Sequence, residues 1–312
     1  MTATKPMRLV FGEILSELGR EFPELVVLDA DVSSSTQTKL FGQQYPDRFY
    51  NFGIAEANMI SAAAGMATCG LTPVASTFAF LMTLRAGEPI RSLIAYNRLN
   101  VKLAGGYAGF SDFADGASHQ SIADLAIMRA MPAMTVLVPS DIETTRGAIR
   151  AMVQHKGPVY LRLSREQVGS HHGGDESFTI GKANVLRDGT DITIAVCGTL
   201  LSEALSAAAE LAKENIQAAV VEFTTLKPFD QETLVQFAAK TGVVVSVEEH
   251  NVIGGLGGAV AETLSNLCPV PLRQIGIADT FGESGPYAAL LAKYGLTAAS
   301  IIRVCREMLQ KH

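Results

Sequence analysis

Short apolar runs and stretches of helical period take turns along the first half of the chain. Leu9, Ile14, Leu15 and Leu18 fall on one side of a helix predicted over Arg8–Phe22. LVVLDAD (Leu25–Asp31) is an apolar run that ends in polar residues, the pattern of a buried parallel strand. RFYNFG (Arg48–Gly53) predicts a second strand, AEANMISAAAGMATCG a helix, and TPVASTF a third strand. GEPIRSLIAYNRLNVKLAG joins helix to strand, SHQSIADLAIMRAM predicts a helix and MTVLVPS a strand. DIETTRGAIRAMVQ (helix) and PVYLRLSR (strand) complete the series. Strands alternating with helices predict a mostly parallel sheet covered on both faces.

Residues 166–190 break this rhythm with glycines, charges and a histidine pair, and read as a linker and surface hairpin in which His171 and His172 are solvated. A second α/β unit follows. DITIAVCGT, IQAAVVEF, VVVSVEEH and PVPLRQIGIAD predict strands, and LSEALSAAAELAKEN a helix with capping-box spacing from Ser202 or Thr199. TLKPFDQETLVQFAAKTG predicts a turn and helix, NVIGGLGGAVAETLSNL a Gly-rich turn and helix, and two helices end the chain. The fold class is α/β: two three-layer α/β/α domains with mostly parallel sheets, residues 1–175 and 176–312.

Composition narrows the function. At 48% hydrophobic and 18% charged, the 312 residues can build large cores. The net charge is -6 and no dense Lys/Arg run occurs, which argues against nucleic acid but leaves a small anionic substrate open. Cys69, Cys197, Cys268 and Cys305 lack metal or redox spacing and read as buried free thiols, which fits a reducing cytosol. The first residues do not read as a signal peptide. Ala57–Leu84 carries no charge, yet Gly70 and Pro73 interrupt it; a helix, turn and buried strand suit it better than a membrane span.

Two Gly-rich turns stand out. IGGLGG (Ile253–Gly258) follows a strand and opens a helix, as in a tight crossover or a phosphate site, but matches neither the dinucleotide fingerprint nor a P-loop. GGYAGFSDFADGASHQ (Gly105–Gln120) lies beyond a strand's carboxyl end, where ligand loops of open α/β sheets sit.

These segments resemble a known family. NFGIAEANMISAAAGMA resembles the glutamate signature of thiamine-diphosphate enzymes of the transketolase group. DADVSSST is similar to their first strand-end loop, and ADGASHQSIADLAIMRAMPAMTVLVPSD to their DG-x-x-HQ loop with the helix and strand after it. VYLRLSR, VVSVEEH and FGESGPYAALLAKYGL fit in order and spacing, so the resemblance covers nearly the whole chain. It implies a pyrimidine-binding domain followed by a transketolase C-terminal domain. Full-length transketolases also carry an amino-terminal domain that grips the cofactor's diphosphate through Mg²⁺, marked by Gly-Asp-Gly and a later Asn. No Gly-Asp-Gly occurs here. The resemblance therefore implies the small subunit of a split enzyme, with no metal site of its own and Mg²⁺ held by a larger partner subunit.

It also implies roles. The glutamate matching Glu56 meets N1′ of the aminopyrimidine and shares a proton with it, which makes the thiazolium carbon nucleophilic. Phe78 matches the aromatic stacked on that ring. Leu81, also in the cofactor pocket, and Leu84 stand where aromatics are usual, and Phe80 is assigned to the core. His119 and Asp115 match the pair that faces the substrate, His119 moving protons and Asp115 bonding a sugar hydroxyl. Arg165, Ser35 and Arg8 match the residues that bind a terminal phosphate. Tyr107 stands where the family has a histidine. A tyrosine keeps its proton at neutral pH, so this position would hydrogen-bond substrate without shuttling protons.

The implied reaction moves a two-carbon ketol unit from a ketose to an aldose, phosphorylated or not. The implied assembly is a heterotetramer of two small and two large subunits, with a homodimer when the chain is alone. A 1-deoxyxylulose-phosphate synthase-like enzyme, the beta subunit of a 2-oxoacid dehydrogenase and a non-catalytic assembly subunit stay open. VVSVEEHNVIGGLGG leans toward the synthases and FGESGPYAALLAKYGL toward transketolase.

Overall fold

The structure, a computed structural model, describes residues 4–173 and 178–311. The boundary expected between residues 175 and 176 lies outside them. The first sheet has seven strands in the order Thr225–Lys227, Thr135–Leu137, Val159–Arg162, Lys102–Gly106, Thr72–Phe78, Leu25–Asp29, Phe49–Asn51. All neighbours are parallel except Thr225–Lys227, which joins Thr135–Leu137 antiparallel. The second sheet has five strands, Leu272–Ile277, Val244–Asn251, Ile192–Val196, Ala218–Glu222 and Asn184–Arg187, with only the last antiparallel.

Fully buried strands such as LVVLD and ITIAV need cover on both faces. Helices Met7–Glu21 and Ile142–Gln154 cover one face of the first sheet through Val10, Phe11, Leu15, Ile149 and Met152. Helices Leu201–Lys213 and Ala298–Leu309 cover one face of the second. The remaining faces share one continuous core, in which Val136 and Tyr160 of the first sheet join Val221, Phe223 and Leu226. The uncharged stretch resolves into helix Glu56–Thr68, strand Thr72–Phe78 and a π turn, Leu81–Arg85.

Three sequence expectations are corrected. No side chain caps the helix at Leu201; the Thr199 hydroxyl donates instead to Glu249 at 2.8 Å. Ser118–Ala123 stay outside the helix expected there, which runs from Asp124 to Ala130. His172 is not solvated: its side chain is 6% exposed, with Nδ1 2.8 Å from Asp141 and Nε2 2.9 Å from Glu222. Asp141 also accepts the N–H groups of Thr144, His171 and His172. Burial alone would lower the imidazole's pKa, but the bond to Asp141 and the Glu222 carboxylate beside Nε2 raise it to about 10. A charged histidine thus locks the end of the first domain to a strand of the second.

The turn at Ile253–Gly258 binds its own anion. The buried Glu248 carboxylate accepts the N–H groups of Leu256 and Gly257 at 2.6 and 2.7 Å, which fills the anion position at that helix N-terminus. A Cβ on Gly255 would stand 1.9 Å from Glu248 Oε2, so only glycine permits this approach.

Candidate active site

Of the residues the sequence singles out, Glu56, Leu81 and His119 line one cleft at the carboxyl edge of the first sheet, where open α/β sheets place ligands; Phe78 is not among its lining residues. Glu56 opens its helix after a turn held by Asn51, whose side chain accepts the N–H groups of Asp31 and Gly53. The glutamate is 4% exposed, and its Oε1 has no hydrogen-bond partner. Its other oxygen lies 3.9 Å from Arg85, a side chain 61% exposed and therefore well screened. Glu56 borders a cleft of about 420 Å³ lined also by Ile54, Phe80, Leu81, Arg85 and His119.

Leu81 sits in this cleft as expected. Phe80, expected in the core, lines the cleft instead, its ring edge-on to His119 at 4.9 Å between centroids. The strand ends at Phe78, so the π turn that follows carries Leu81 and Arg85 to the site, an offset that strand periodicity does not reveal. Phe78 packs on Tyr107, 4.6 Å between ring centres.

A second cluster adjoins the first. Arg8 Nη1 donates to Tyr107 Oη at 3.0 Å and to the Ser35 carbonyl at 3.2 Å. The Arg165 guanidinium lies 5.2 Å from the Tyr107 ring and 5.0 Å from that of Phe113. Four positions far apart in sequence therefore meet, two of them cationic. Asp29 shapes the loop that delivers Ser35: its buried carboxylate accepts from Val32 N and from the Thr36 and Thr38 hydroxyls. His119 Nδ1 lies 2.9 Å from the Ser118 hydroxyl, and Asp115 is exposed in the same loop.

The second domain holds that loop in place. Glu249 accepts the Phe110 N–H at 2.6 Å and hydroxyls of Thr199 and Tyr287 at 2.8 and 2.7 Å. Arg162 bonds Asp124 at 2.8 Å and the Glu249 carbonyl at 2.9 Å. Burial pushes the Asp124 carboxyl up, but the Arg162 guanidinium, His250 and the Tyr160 hydroxyl together hold it below the usual range. Nothing in the sequence pattern singles out Glu249, Phe80, Arg85 or Asp112, a buried carboxyl of the loop, as individual site residues; the VVSVEEH segment contains the first and the Gly-rich loop Gly105–Gln120 the last.

Family comparison accounts for the whole arrangement. Residues 3–170 match the transketolase pyrimidine binding domain, and residues 181–301 the transketolase C-terminal domain. The chain belongs to the transketolase family. The "6-deoxy-6-sulfo-D-fructose transketolase subunit SqwH" of a Clostridium species is 42% identical over 305 residues, 98% of this chain and 95% of that one. An apulose-4-phosphate transketolase subunit of Phocaeicola vulgatus is 35% identical, covering 97% of each. A solved structure described as "Split gene transketolase, inactive beta4 tetramer" superposes with a TM-score of 0.90 at 47% identity, covering 98% of each chain. Transketolase membership implies thiamine diphosphate as cofactor. The orphaned Glu56 oxygen, buried beside a cleft with apolar walls, fits the aminopyrimidine end of that cofactor. Among the described residues no group of three or more His, Cys, Asp or Glu is arranged to hold a metal.

Proposed function

We propose that this chain is the small subunit of a two-chain, thiamine-diphosphate-dependent transketolase that moves a two-carbon ketol unit from a ketose to an aldose. One observation carries the reading: Glu56 is buried at the cleft with an oxygen that nothing among the described residues satisfies. Leaving such an atom unpaired costs about 1–3 kcal/mol, which a ring nitrogen in the cleft would offset. Bound there, the cofactor supplies a nucleophilic carbon and an electron sink. Glu56 holds a proton at the pyrimidine nitrogen, and Phe80 and Leu81 wall that end of the cleft from water. His119 reaches the same cleft and is placed to move a proton to or from a sugar oxygen. Asp115 bonds a hydroxyl of the substrate. Arg8, Ser35, Tyr107 and Arg165 bind its far, anionic end, with Phe78 backing Tyr107. Of the four cysteines expected to be buried, Cys197 and Cys305 are, Cys268 is half-buried and Cys69 is exposed; all four are free, which suits a reducing cytoplasm.

Arg165→Ala is expected to raise KM for phosphorylated sugars about tenfold or more and to leave kcat nearly unchanged, since the contact is shared by ground and transition states. Steady-state kinetics on phosphorylated and unphosphorylated pairs check it; an equal loss on both would remove Arg165 from the anion site.

The assembly reading rests on the rim of the cleft. Ile54, which lines the cleft, is 75% exposed, and Leu84, next in sequence to Arg85 of that lining, is 65% exposed; apolar side chains left open here suit cover by another chain. The larger partner supplies the Mg²⁺–diphosphate end, and two copies of each chain form the working unit. The chain alone is expected to self-associate and to show no turnover with cofactor and Mg²⁺; the similar solved chain is an inactive tetramer by its description. Light scattering and assay, before and after adding the partner, check both. Ketol transfer by the purified single chain would sink the split-enzyme reading.

A further inference from the structure

A buried carboxyl lies against the anion site. Asp112 is fully buried in the loop between Tyr107 and His119, and neither of its carboxylate oxygens has a hydrogen-bond partner. The residues on both sides of it hold Arg165. The Ser111 hydroxyl accepts the Arg165 backbone N–H at 3.2 Å, and the Phe113 ring lies 5.0 Å from the guanidinium. Asp115, His119 and Arg165 are charged groups close enough to act on Asp112. Its backbone carbonyl accepts the Gly116 N–H at 3.1 Å, and the Asp115 carboxyl is its nearest side-chain neighbour of like charge. A carboxyl placed this way is neither a helix cap nor a surface charge.

We propose that Asp112 is a positioning residue that tunes the Arg165 site for the terminal oxyanion of a sugar, a phosphate or a sulfonate. Neutral Asp112 leaves the guanidinium's charge to the ligand, and ionised Asp112 competes for it. The idea rests on Arg165 being the anion-binding residue. Burial first, then the charge of Asp115, push the Asp112 carboxyl up to about 6, against the pull of His119 and Arg165. Affinity for the anion therefore falls as pH rises through that value.

The test is calorimetric binding of sulfate, which keeps its double charge throughout, between about pH 5 and about pH 8. It uses the full chain, since Arg8, Ser35, Tyr107, Asp112 and Arg165 all belong to it. His119→Gln in every sample removes the neighbouring imidazole from the titration. With Asp112 present, Kd is expected to rise on the order of fivefold across that range. With Asp112→Asn it is expected to stay level at the tighter value. The same pH course in both chains would overturn the proposal while leaving the anion site standing. Sulfate binding that survives Arg165→Ala, or is absent from the parent chain, would overturn the anion-site reading itself. If Asp112→Asn folds poorly by thermal melting, carboxyl NMR of Asp112 decides instead. Linkage requires saturating sulfate to move its titration midpoint upward, and an unmoved midpoint refutes the coupling.

Discussion

Glu56→Gln is expected to leave the two-chain assembly intact and to slow turnover by about 10³-fold, within the range for a lost proton-transfer partner. The amide has the shape of the carboxylate, so packing around the cleft survives. Burying it needs less desolvation than burying a charge, and stability should hold or rise by about 1 kcal/mol. The Arg85 contact adds little, because at 3.9 Å from an exposed guanidinium it is largely screened. What the amide cannot do is hold a proton between itself and the pyrimidine nitrogen. Exchange of the cofactor's C2 proton, followed by NMR in the assembled enzyme, should slow along with turnover. Exchange at the parent rate would show that the buried carboxylate has another purpose.

Asp141→Ala is expected to destabilise the chain by about 3–5 kcal/mol, the range for removing one partner of a buried ion pair. Three losses coincide: the cap of helix Ile142–Gln154, the acceptor for two linker N–H groups, and the counter-charge of His172. The pH dependence follows from the directions of the shifts. His172 is raised from 6.5 to about 10, so its contribution is full below 6.5 and is lost as pH climbs through 10. Asp141 is depressed: burial raises it, but the bonds from His172 and Thr144 prevail, so its contribution is present above 3.8 and lost as pH falls below that. Denaturant unfolding of the parent and of His172→Gln, from neutral to alkaline pH, checks the first window. An alkaline loss that persists without the imidazole would refute the latch.

The elements with strong period were legible. TPVASTF is a strand residue for residue, and the helices over Arg8–Phe22 and DIETTRGAIRAMVQ differ by a residue at their ends. The candidate site residues were reached by another route, through matching segments, because no periodicity marks a functional glutamate or arginine. What stayed hidden depends on distant partners. His172 sits in a glycine-rich run that looks solvated until Asp141 and Glu222 close on it. Asp112 reads as one polar residue of a loop, and its burial appears only once that loop is folded. Phe80 looks like core because its neighbours are apolar, but it lies past the strand's end, just before the π turn, and so lines the cleft.

The antiparallel strand Thr225–Lys227 comes from the far side of the linker and completes the edge of the first sheet. Sequence order and physical membership therefore disagree for those residues. A recombination event that joins the front half of one relative to the back half of another at the linker also exchanges an edge strand of the pyrimidine-binding sheet. The back half inherits Glu222 and the front half Asp141, so the histidine between them must suit both parents. The two halves are thus modular in their cores but interlocked along one seam, and descent along that seam favours their travelling together.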